Sequence, residues 1–432
     1  MKNEKIIVNI SLYFLCILSL FVGLYFGENS SGGAKHDYLF LEKYYYFFSD
    51  SITKGLDLFL INSSSKIHSP VFYILGGLVL KIVNNINIVK IIYILISSVI
   101  PYIFYKIILL RNQARNENND IYFFISLLIF FSPYFRSSAI WLLGDNLSIL
   151  FFSLFVYYVV KIQIKKKIIK NYFFSCLFLI LCCYIRYYYC LYFFVIIYFA
   201  FKNLSIKQNI YIFLFSLILS LPFLTYLIFV ILNSDFHVIL KNFSNNSEGL
   251  FLYNYINNIF QIYLIILIYI IPFVIPWSKN LVRYYITNYK LSFAIILMVI
   301  LLLILSHYIS GSFFFVPELG GGIFFKFLSF KIFQNFTLFI FILLLFTSIF
   351  FLDFFFRENR IFNYFIFLIL ILSLPMTILY QKYLDPLVYL LLFGLINSSI
   401  LSEVKINKYY FVTYFIGILI FANIYYTNFK LF

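Results

Sequence analysis

Apolar runs of about twenty residues, separated by short polar or basic connectors, constrain this chain more than any other feature. The first run, IIVNISLYFLCILSLFVGLYF, occupies residues 6–26 and contains no acidic or basic side chain. As a helix it can cross the ~30 Å hydrocarbon core of a bilayer, and it lacks the small-residue cleavage site of a signal peptide. With 64% hydrophobic and 11% charged residues, the composition excludes an ordinary soluble domain. The run is therefore predicted to be the uncleaved first helix of an integral membrane protein.

Comparable runs recur along the whole chain and predict an all-α, polytopic membrane protein, because helices satisfy their own backbone hydrogen bonds in lipid. About thirteen crossings are expected, at residues 6–26, 88–110, 121–135, 146–160, 171–185, 187–201, 209–232, 257–276, 291–306, 336–352, 361–379, 385–401 and 409–427. Since no composition shift marks a soluble domain or a linker, residues 1–432 are predicted to form a single integral membrane domain.

The basic connectors fix the expected orientation, because Lys and Arg accumulate on the cytoplasmic side of membrane proteins. This orientation accounts for the formal net charge of +16 without a nucleic-acid partner. It places a first outer loop at residues 27–67 and a later outer loop at 308–335. Loops of that length are uncommon without a function. An active site is therefore predicted on the outer face, which is the periplasmic face of a bacterial inner membrane or an equivalent lumenal face.

The segment HSPVFYILGGLVLKIVNN, residues 68–85, is an exception to the count of crossings. If it crossed the membrane, every later basic connector would lie on the wrong side. It is short, contains Gly76 and Gly77 and carries Lys81, so it is predicted to be a re-entrant or interfacial helix. The stretches around Asp50 and Asp57 are predicted to form juxtamembrane helices in the first outer loop, with their charges facing water.

Metal-binding residue types are not clustered in the sequence. The five cysteines all lie inside apolar runs without a CxxC spacing, and the four histidines are scattered. This pattern predicts neither a disulfide framework nor a metal site or other cofactor.

Asp37 is the candidate catalytic residue. It follows Lys35 and His36 in GENSSGGAKHDYLF, residues 27–40, just beyond the first helix. A carboxylate in that position can accept a proton from an incoming hydroxyl group. Its alternative role is that of a solvated loop aspartate.

Candidate cations lie in the other outer segments. Arg136 and Asp145 flank Trp141 in SPYFRSSAIWLLGDN, and they either pair with each other or mark a substrate path. Arg186 has no acidic residue nearby in sequence, so it is predicted to bind an anion, for which guanidinium is well suited. The residues predicted to bind the substrate or its lipid phosphate are His36, His68, Arg136, Asp145, Arg186, Gln381 and Lys382.

Together these residues predict a site with one carboxylate base, several cations and apolar walls. An enzyme that uses a sugar on a lipid phosphate needs this combination. The walls hold the isoprenoid tail, the cations stabilise charge on the leaving phosphate, and the carboxylate activates the acceptor hydroxyl.

The chain resembles the GT-C superfamily of membrane glycosyltransferases, which use polyprenyl-phosphate sugars. The motifs that carry the resemblance are GGAKHDY after the first helix, HSPVFY, SPYFRSSAIW, CYIRYYY and the late YQKYLDP. Their order also resembles that of the dolichyl-phosphate-glucose alpha-1,2-glucosyltransferases. Two departures are that Tyr38 follows Asp37 where the family commonly has a second acidic residue, and that Ser69 replaces a proline.

The resemblance implies a polyprenyl-phosphate sugar donor, a glycan or lipid acceptor and inversion at the transferred sugar. Asp37 would act as the base, while Arg136, Arg186 and Lys382 would face the lipid phosphate. Two other functions stay open. A surface-polysaccharide polymerase or ligase is expected to have one dominant outer loop in its later half, and a lipid or oligosaccharide flippase should line a central path with cations.

Overall fold

The computed structural model describes residues 2–61, 69–112, 119–165, 168–233, 248–315, 322–328, 335–374, 379–398 and 408–427. Within these ranges the chain is helical and contains no β-strand, which confirms the all-α class. The α-helices are α1 Lys2–Phe26, α2 Ala34–Asp50, α3 Ile52–Ile61, α4 Val71–Val83, α5 Ile86–Asn112, α6 Asn119–Leu127, α7 Pro133–Ile140, α8 Gly144–Ile164, α9 Ile169–Ile185, α10 Phe193–Asn203, α11 Ile206–Asn233, α12 Glu248–Val274, α13 Ser278–Thr287, α14 Tyr289–Ser310, α15 Gly322–Leu328, α16 Thr337–Phe356, α17 Arg360–Leu372, α18 Leu387–Leu390 and α19 Lys408–Thr427.

Seven of these helices are long and apolar enough to cross a membrane, and they support a multi-pass membrane protein. They are α1, α5, α8, α11, α12, α14 and α16, or eight spans if the bent pair α6 and α7 counts as one. The expected thirteen crossings are not confirmed. In the described part of the run at 361–379 the helix is the 13-residue α17, and the described part of the run at 385–401 contains the four-residue α18 followed by a π-helical turn, Leu391–Leu395. Hydropathy counts apolar residues but does not report whether the backbone stays in one helix.

The chain divides into two compact units. The first comprises Met1–Ser234 with Val412–Leu431, and the second is built from Asp235–Phe411. The single membrane domain expected from the sequence stays a prediction.

In the first unit, residues 34–61 of the segment predicted to be the first outer loop form two helices, α2 and α3, as the sequence predicts. The buried residues of α2 recur every three or four positions: Ala34, Tyr38, Leu41, Tyr44, Tyr45 and Phe48. This spacing forms one apolar stripe along a helix, and it packs against Phe59 of α3 and Tyr73 of α4. The loop is therefore a packed substructure with an aromatic core.

Helix α4 occupies the segment that the sequence predicts to be re-entrant or interfacial. With 13 residues it is shorter than a membrane crossing requires. It packs closely on α2 because Gly77 has no side chain: a Cβ there would lie 2.6 Å from Phe48 Cβ and 2.9 Å from Phe48 backbone carbon. The helix ends at Asn84 in the left-handed conformation, and α5 begins two residues later. Its depth in the bilayer stays a prediction.

Helices α6 and α7 form a bent pair. Ser132 caps α7 by accepting a hydrogen bond from the Phe135 backbone N–H at 3.0 Å, and Pro133 occupies the first helical position, as is typical of helix starts. The axes meet at 63°. This bend leads the chain into α7, which carries Arg136, and then to α8, which carries Asp145.

In the second unit, the start of α17 is joined to residue 397 by two hydrogen bonds. Asn363, in the first turn of α17, donates from its side-chain amide to the Asn397 carbonyl and accepts from the Asn397 backbone N–H, both at 2.8 Å. The chain therefore returns at residue 397 to the end where α17 started. In the sequence between these two asparagines, Gln381 donates a hydrogen bond to the hydroxyl of Tyr269, which belongs to the apolar part of α12.

Candidate functional site

Arg136 forms a buried ion pair with Glu28, not with Asp145. Its Nε lies 2.8 Å from Glu28 Oε1 and its Nη2 lies 2.5 Å from Glu28 Oε2, a two-point geometry. Nη1 and Nη2 also donate to the Ser19 hydroxyl and carbonyl, at 2.8 and 3.0 Å. The guanidinium donors that a phosphate would need are thus directed at the protein. Arg136 was predicted either to pair with Asp145 or to mark a substrate path. The structure shows an ion pair, but the carboxylate is that of Glu28 and not that of Asp145.

Asp145 pairs with Arg186. Arg186 Nε and Nη2 each lie 2.8 Å from Asp145 Oδ1. Asp145 is in the first turn of α8, and Arg186 is the C-cap residue of α9. The ion pair therefore links the start of α8 to the end of α9. Each charge also has the sign that its helix terminus favours. The interpretation of Arg186 as an unpaired cation is wrong, because a partner 41 residues away is invisible to a local search.

The chain between α7 and α8 is fixed by tyrosine hydroxyls. Tyr45 donates to the Leu142 carbonyl at 2.7 Å, and Tyr93 donates to the Leu143 carbonyl. Leu142 adopts a positive φ of 50°, a conformation that is costly for a branched residue and persists only where its surroundings hold it. These contacts anchor Trp141 on one side and Asp145 on the other.

Lys90 is a buried cation that the sequence reading missed. Its side chain is 8% exposed, and Nζ lies 3.9 Å from the centre of the Tyr38 ring and 5.2 Å from that of Trp141. Cation–π contacts of this kind stabilise a desolvated ammonium group. Within the described residues, no carboxylate lies at salt-bridge distance from Lys90. Its three donors are therefore not committed to a neighbouring acid.

The aromatic pair around Lys90 is itself held in place. The Tyr38 hydroxyl donates to Glu42 Oε1 at 2.5 Å, and the Trp141 indole N–H donates to the Glu28 carbonyl at 2.7 Å. Burial, followed by the neighbouring Glu42 carboxylate, raises the pKa of Tyr38. The phenol therefore stays protonated and keeps its donor role at neutral pH.

Asp37 lies in the first turn of α2, next to Tyr38 in sequence, and is half-buried. The pKa of Tyr73 is raised, chiefly because its hydroxyl is buried. The Arg186 guanidinium opposes this shift, and the Asp145 and Asp37 carboxylates add to it. The Tyr73 hydroxyl is thus within electrostatic reach of all three charges. Asp37, Asp145 and Arg186 therefore share one electrostatic neighbour, the buried Tyr73, whereas His36 is exposed.

Three further residues were predicted to bind the substrate or its lipid phosphate: His68, Gln381 and Lys382. His68 lies outside the described residues. Gln381 belongs to the second unit, where it is 1% exposed, donates to the Tyr269 hydroxyl at 3.0 Å and accepts from the Ile323 backbone N–H at 3.1 Å. Lys382 lies 5.5 Å from the Tyr380 ring centre. The segment YQKYLDP was predicted to lie between two apolar helices at the outer surface; in the structure the Gln381 amide is buried against Tyr269 of α12.

The part of the chain that the structure describes contains no group of three or more His, Cys, Asp or Glu side chains positioned to hold a metal ion. The five cysteines are free thiols, four of them buried or partly buried.

Comparisons with protein-family models, with curated proteins and with solved structures give no match for this chain. The resemblance to the GT-C superfamily therefore rests on the sequence motifs alone.

Proposed function

We propose that this chain is a membrane glycosyltransferase of the GT-C type. It transfers a sugar from a polyprenyl phosphate to an acceptor hydroxyl of a glycan or lipid, on the outer face of a bacterial inner membrane. The observation that carries the proposal is that, in a helical membrane protein, the buried cation Lys90 packs against α2, the helix that carries the half-buried Asp37 carboxylate. Tyr38, the residue after Asp37, is the ring against which Lys90 packs.

In the proposed reaction, Asp37 accepts the proton of the acceptor hydroxyl as that oxygen attacks C1 of the donor sugar. The bond between C1 and the phosphate oxygen breaks, and polyprenyl phosphate leaves with its bonding electrons. Attack from the face opposite the leaving group inverts the configuration at C1. Asp37 then releases the proton to water. A positioned base of this kind contributes about 10²- to 10⁴-fold in rate.

Lys90 takes the role that the sequence motifs suggest for Arg136 and Arg186. Both arginines direct donors at carboxylates, so each contributes little net charge to an incoming phosphate. Lys90 offers an ammonium group in a desolvated place, where a charge-assisted hydrogen bond to phosphate is strong. Arg136 and Arg186 become positioning residues, and the proposal assigns no role to His68, Gln381 or Lys382.

The test is a transfer assay on purified protein in lipid nanodiscs. Decaprenyl-, undecaprenyl- and dolichyl-phosphate sugars, radiolabelled in the sugar, are supplied with mixed acceptor glycans, and release of free lipid phosphate is measured. We expect release with at least one donor, and an Asp37→Asn variant that loses about 10²- to 10⁴-fold in turnover. Asp50→Asn is the matched control, because Asp50 is on the same helix and its side chain is 67% exposed.

Full turnover in Asp37→Asn would remove the base assignment. Movement of an intact lipid-linked sugar across the bilayer, with no release of lipid phosphate from any donor, would replace the enzyme with a flippase. Chain extension of a lipid-linked glycan would favour a polymerase or ligase.

A further inference from the structure

A short helix in the second unit connects two membrane spans at one surface. The α12 span ends at Val274 and the α14 span begins at Tyr289, and α13 lies between them with ten residues. Ten residues are too few to cross a bilayer. Consecutive spans joined by so short a segment meet on one side of the membrane, so α13 lies at that surface.

The side chains of α13 divide into stripes of different chemistry. Tyr285 is buried and donates its hydroxyl to the Phe350 carbonyl at 2.6 Å and to Asp353 Oδ2 at 2.9 Å. On the outward side, Val282 is 54% exposed and Ile286 is 70% exposed. Lys279 and Arg283 are also exposed. Because residues four apart are neighbours on a helix, Val282 with Ile286 forms an apolar stripe and Lys279 with Arg283 an adjacent basic one.

The protein around α13 is also basic. Residues 274–290 and 350–365 contain five cations and two acids: Lys279, Arg283, Lys290, Arg357 and Arg360 against Asp353 and Glu358. One of the acids is already neutralised, because Asp353 is buried and accepts hydrogen bonds from Tyr285, Tyr364 and Arg360. The exposed charge at this end of the unit is therefore positive.

One N–H group of the Arg360 guanidinium, at Nε, makes no hydrogen bond within the described residues. Its Nη2 lies 3.2 Å from Asp353 Oδ2 and also donates to the Tyr284 hydroxyl. Its Nε is buried and makes no hydrogen bond to any residue that the structure describes. Tyr284 is next to Arg283 in α13, so the guanidinium group lies beside the basic stripe.

We propose that this surface, formed by Lys279, Val282, Arg283 and Ile286 of α13, binds an anionic phospholipid. Lys279 and Arg283 contact the headgroup phosphate, and Val282 and Ile286 contact the upper part of the acyl chains. Helices that bind membrane surfaces combine these same two stripes. The basic connectors of the sequence place the site in the cytoplasmic leaflet, where anionic lipids attract Lys and Arg. The inference does not depend on the proposed glycosyltransferase activity.

Binding can be measured by native mass spectrometry of the full-length protein, extracted in detergent and titrated with phosphatidylglycerol or phosphatidylcholine. We expect selective retention of phosphatidylglycerol, and a loss of roughly thirtyfold in its affinity in Lys279→Gln/Arg283→Gln, from about 1 kcal/mol for each surface charge. Lys165→Gln/Lys170→Gln is the control, since it removes the same charge from exposed positions at the ends of α8 and α9. That variant should retain the wild-type affinity at the tightest site.

The apolar stripe distinguishes a lipid from a free phosphate. Val282→Asn/Ile286→Asn changes exposed side chains only, and we expect it to weaken phosphatidylglycerol binding while glycerol 3-phosphate at millimolar concentration fails to compete. Equal affinity in the wild type and the Lys279/Arg283 variant would overturn the proposal, as would an equal loss in the control. Effective competition by glycerol 3-phosphate would assign the surface to a soluble phosphate compound.

Discussion

At the scale of single residues, long-range pairing decides which charges are available to a ligand. Arg136 and Glu28 are 108 residues apart, and Arg186 and Asp145 are 41 apart. Both pairs are invisible to a search for nearby opposite charges. Lys90 shows the reverse situation: it lies within an apolar segment, where a ligand-binding cation is not expected from sequence, and it has no carboxylate at salt-bridge distance among the described residues. Arg136 and Arg186, which the sequence predicts to bind the lipid phosphate, therefore both have carboxylate partners within the protein.

The first prediction concerns Lys90. Replacing Lys90 with Gln should weaken binding of polyprenyl monophosphate by about ten- to a hundredfold, because a hydrogen bond to a charged group contributes about 1.5–3 kcal/mol. The measurement is lipid-phosphate affinity in detergent, with thermal unfolding in parallel. Lys106→Gln, on the same helix and packed over Tyr102, is the control. A Lys90→Gln protein with a lower Tm but the wild-type affinity would show that Lys90 is only structural.

The second prediction concerns the ion pair of Glu28 and Arg136. Glu28→Gln should destabilise the protein by about 3–5 kcal/mol, because it leaves the Arg136 guanidinium buried without its counter-charge. Adding Arg136→Met should recover much of that loss, since the buried charge is then gone. The double-mutant cycle can be followed by chemical unfolding in detergent micelles. If the two single changes simply add, the pair is not energetically coupled.

At the scale of elements, close approach of α2 and α4 depends on a missing side chain. Gly77→Ala should destabilise the first unit by about 1–3 kcal/mol, because the new methyl group would press on Phe48 backbone atoms that cannot rotate away. Gly417→Ala is the control: a Cβ there meets nothing within 4 Å, so the change should be neutral or slightly stabilising in a helix. Thermal unfolding in nanodiscs gives the comparison. Equal Tm values for the two variants would contradict the packing argument.

Sequence patterns predicted some elements well and others poorly. The helical class, the first helix, the two helices of the first outer loop and the short α4 follow from apolar runs and their spacing. The count of thirteen crossings is not confirmed, because the described part of the run at 385–401 forms a buried four-residue helix and a π-helical turn instead of one long helix. Gln381 shows the same limit, since a polar residue between two apolar runs can be buried by a partner such as Tyr269.

At the scale of the whole molecule, the prediction is one of sidedness. A cysteine replacing Asp50 should react with a membrane-impermeant maleimide added to intact cells, and one replacing Lys165 should react only after the membrane is opened. Only that orientation keeps the basic connectors together on the cytoplasmic side. The exposed Cys190 is first changed to Ser to remove background labelling. Labelling of both positions in intact cells would overturn the assigned topology.

The ion pair between Glu28 and Arg136 also has a consequence for biosynthesis. The ribosome makes Glu28 long before Arg136, and an arginine on a helix entering lipid alone carries a large insertion cost. In the folded protein that guanidinium contacts Ser19 and Glu28 at the end of α1. If α1 is inserted first, Glu28 is already present to neutralise Arg136 when the α6–α7 segment leaves the translocon. We therefore expect α1 to assist membrane insertion of the third apolar run of the chain, residues 121–135.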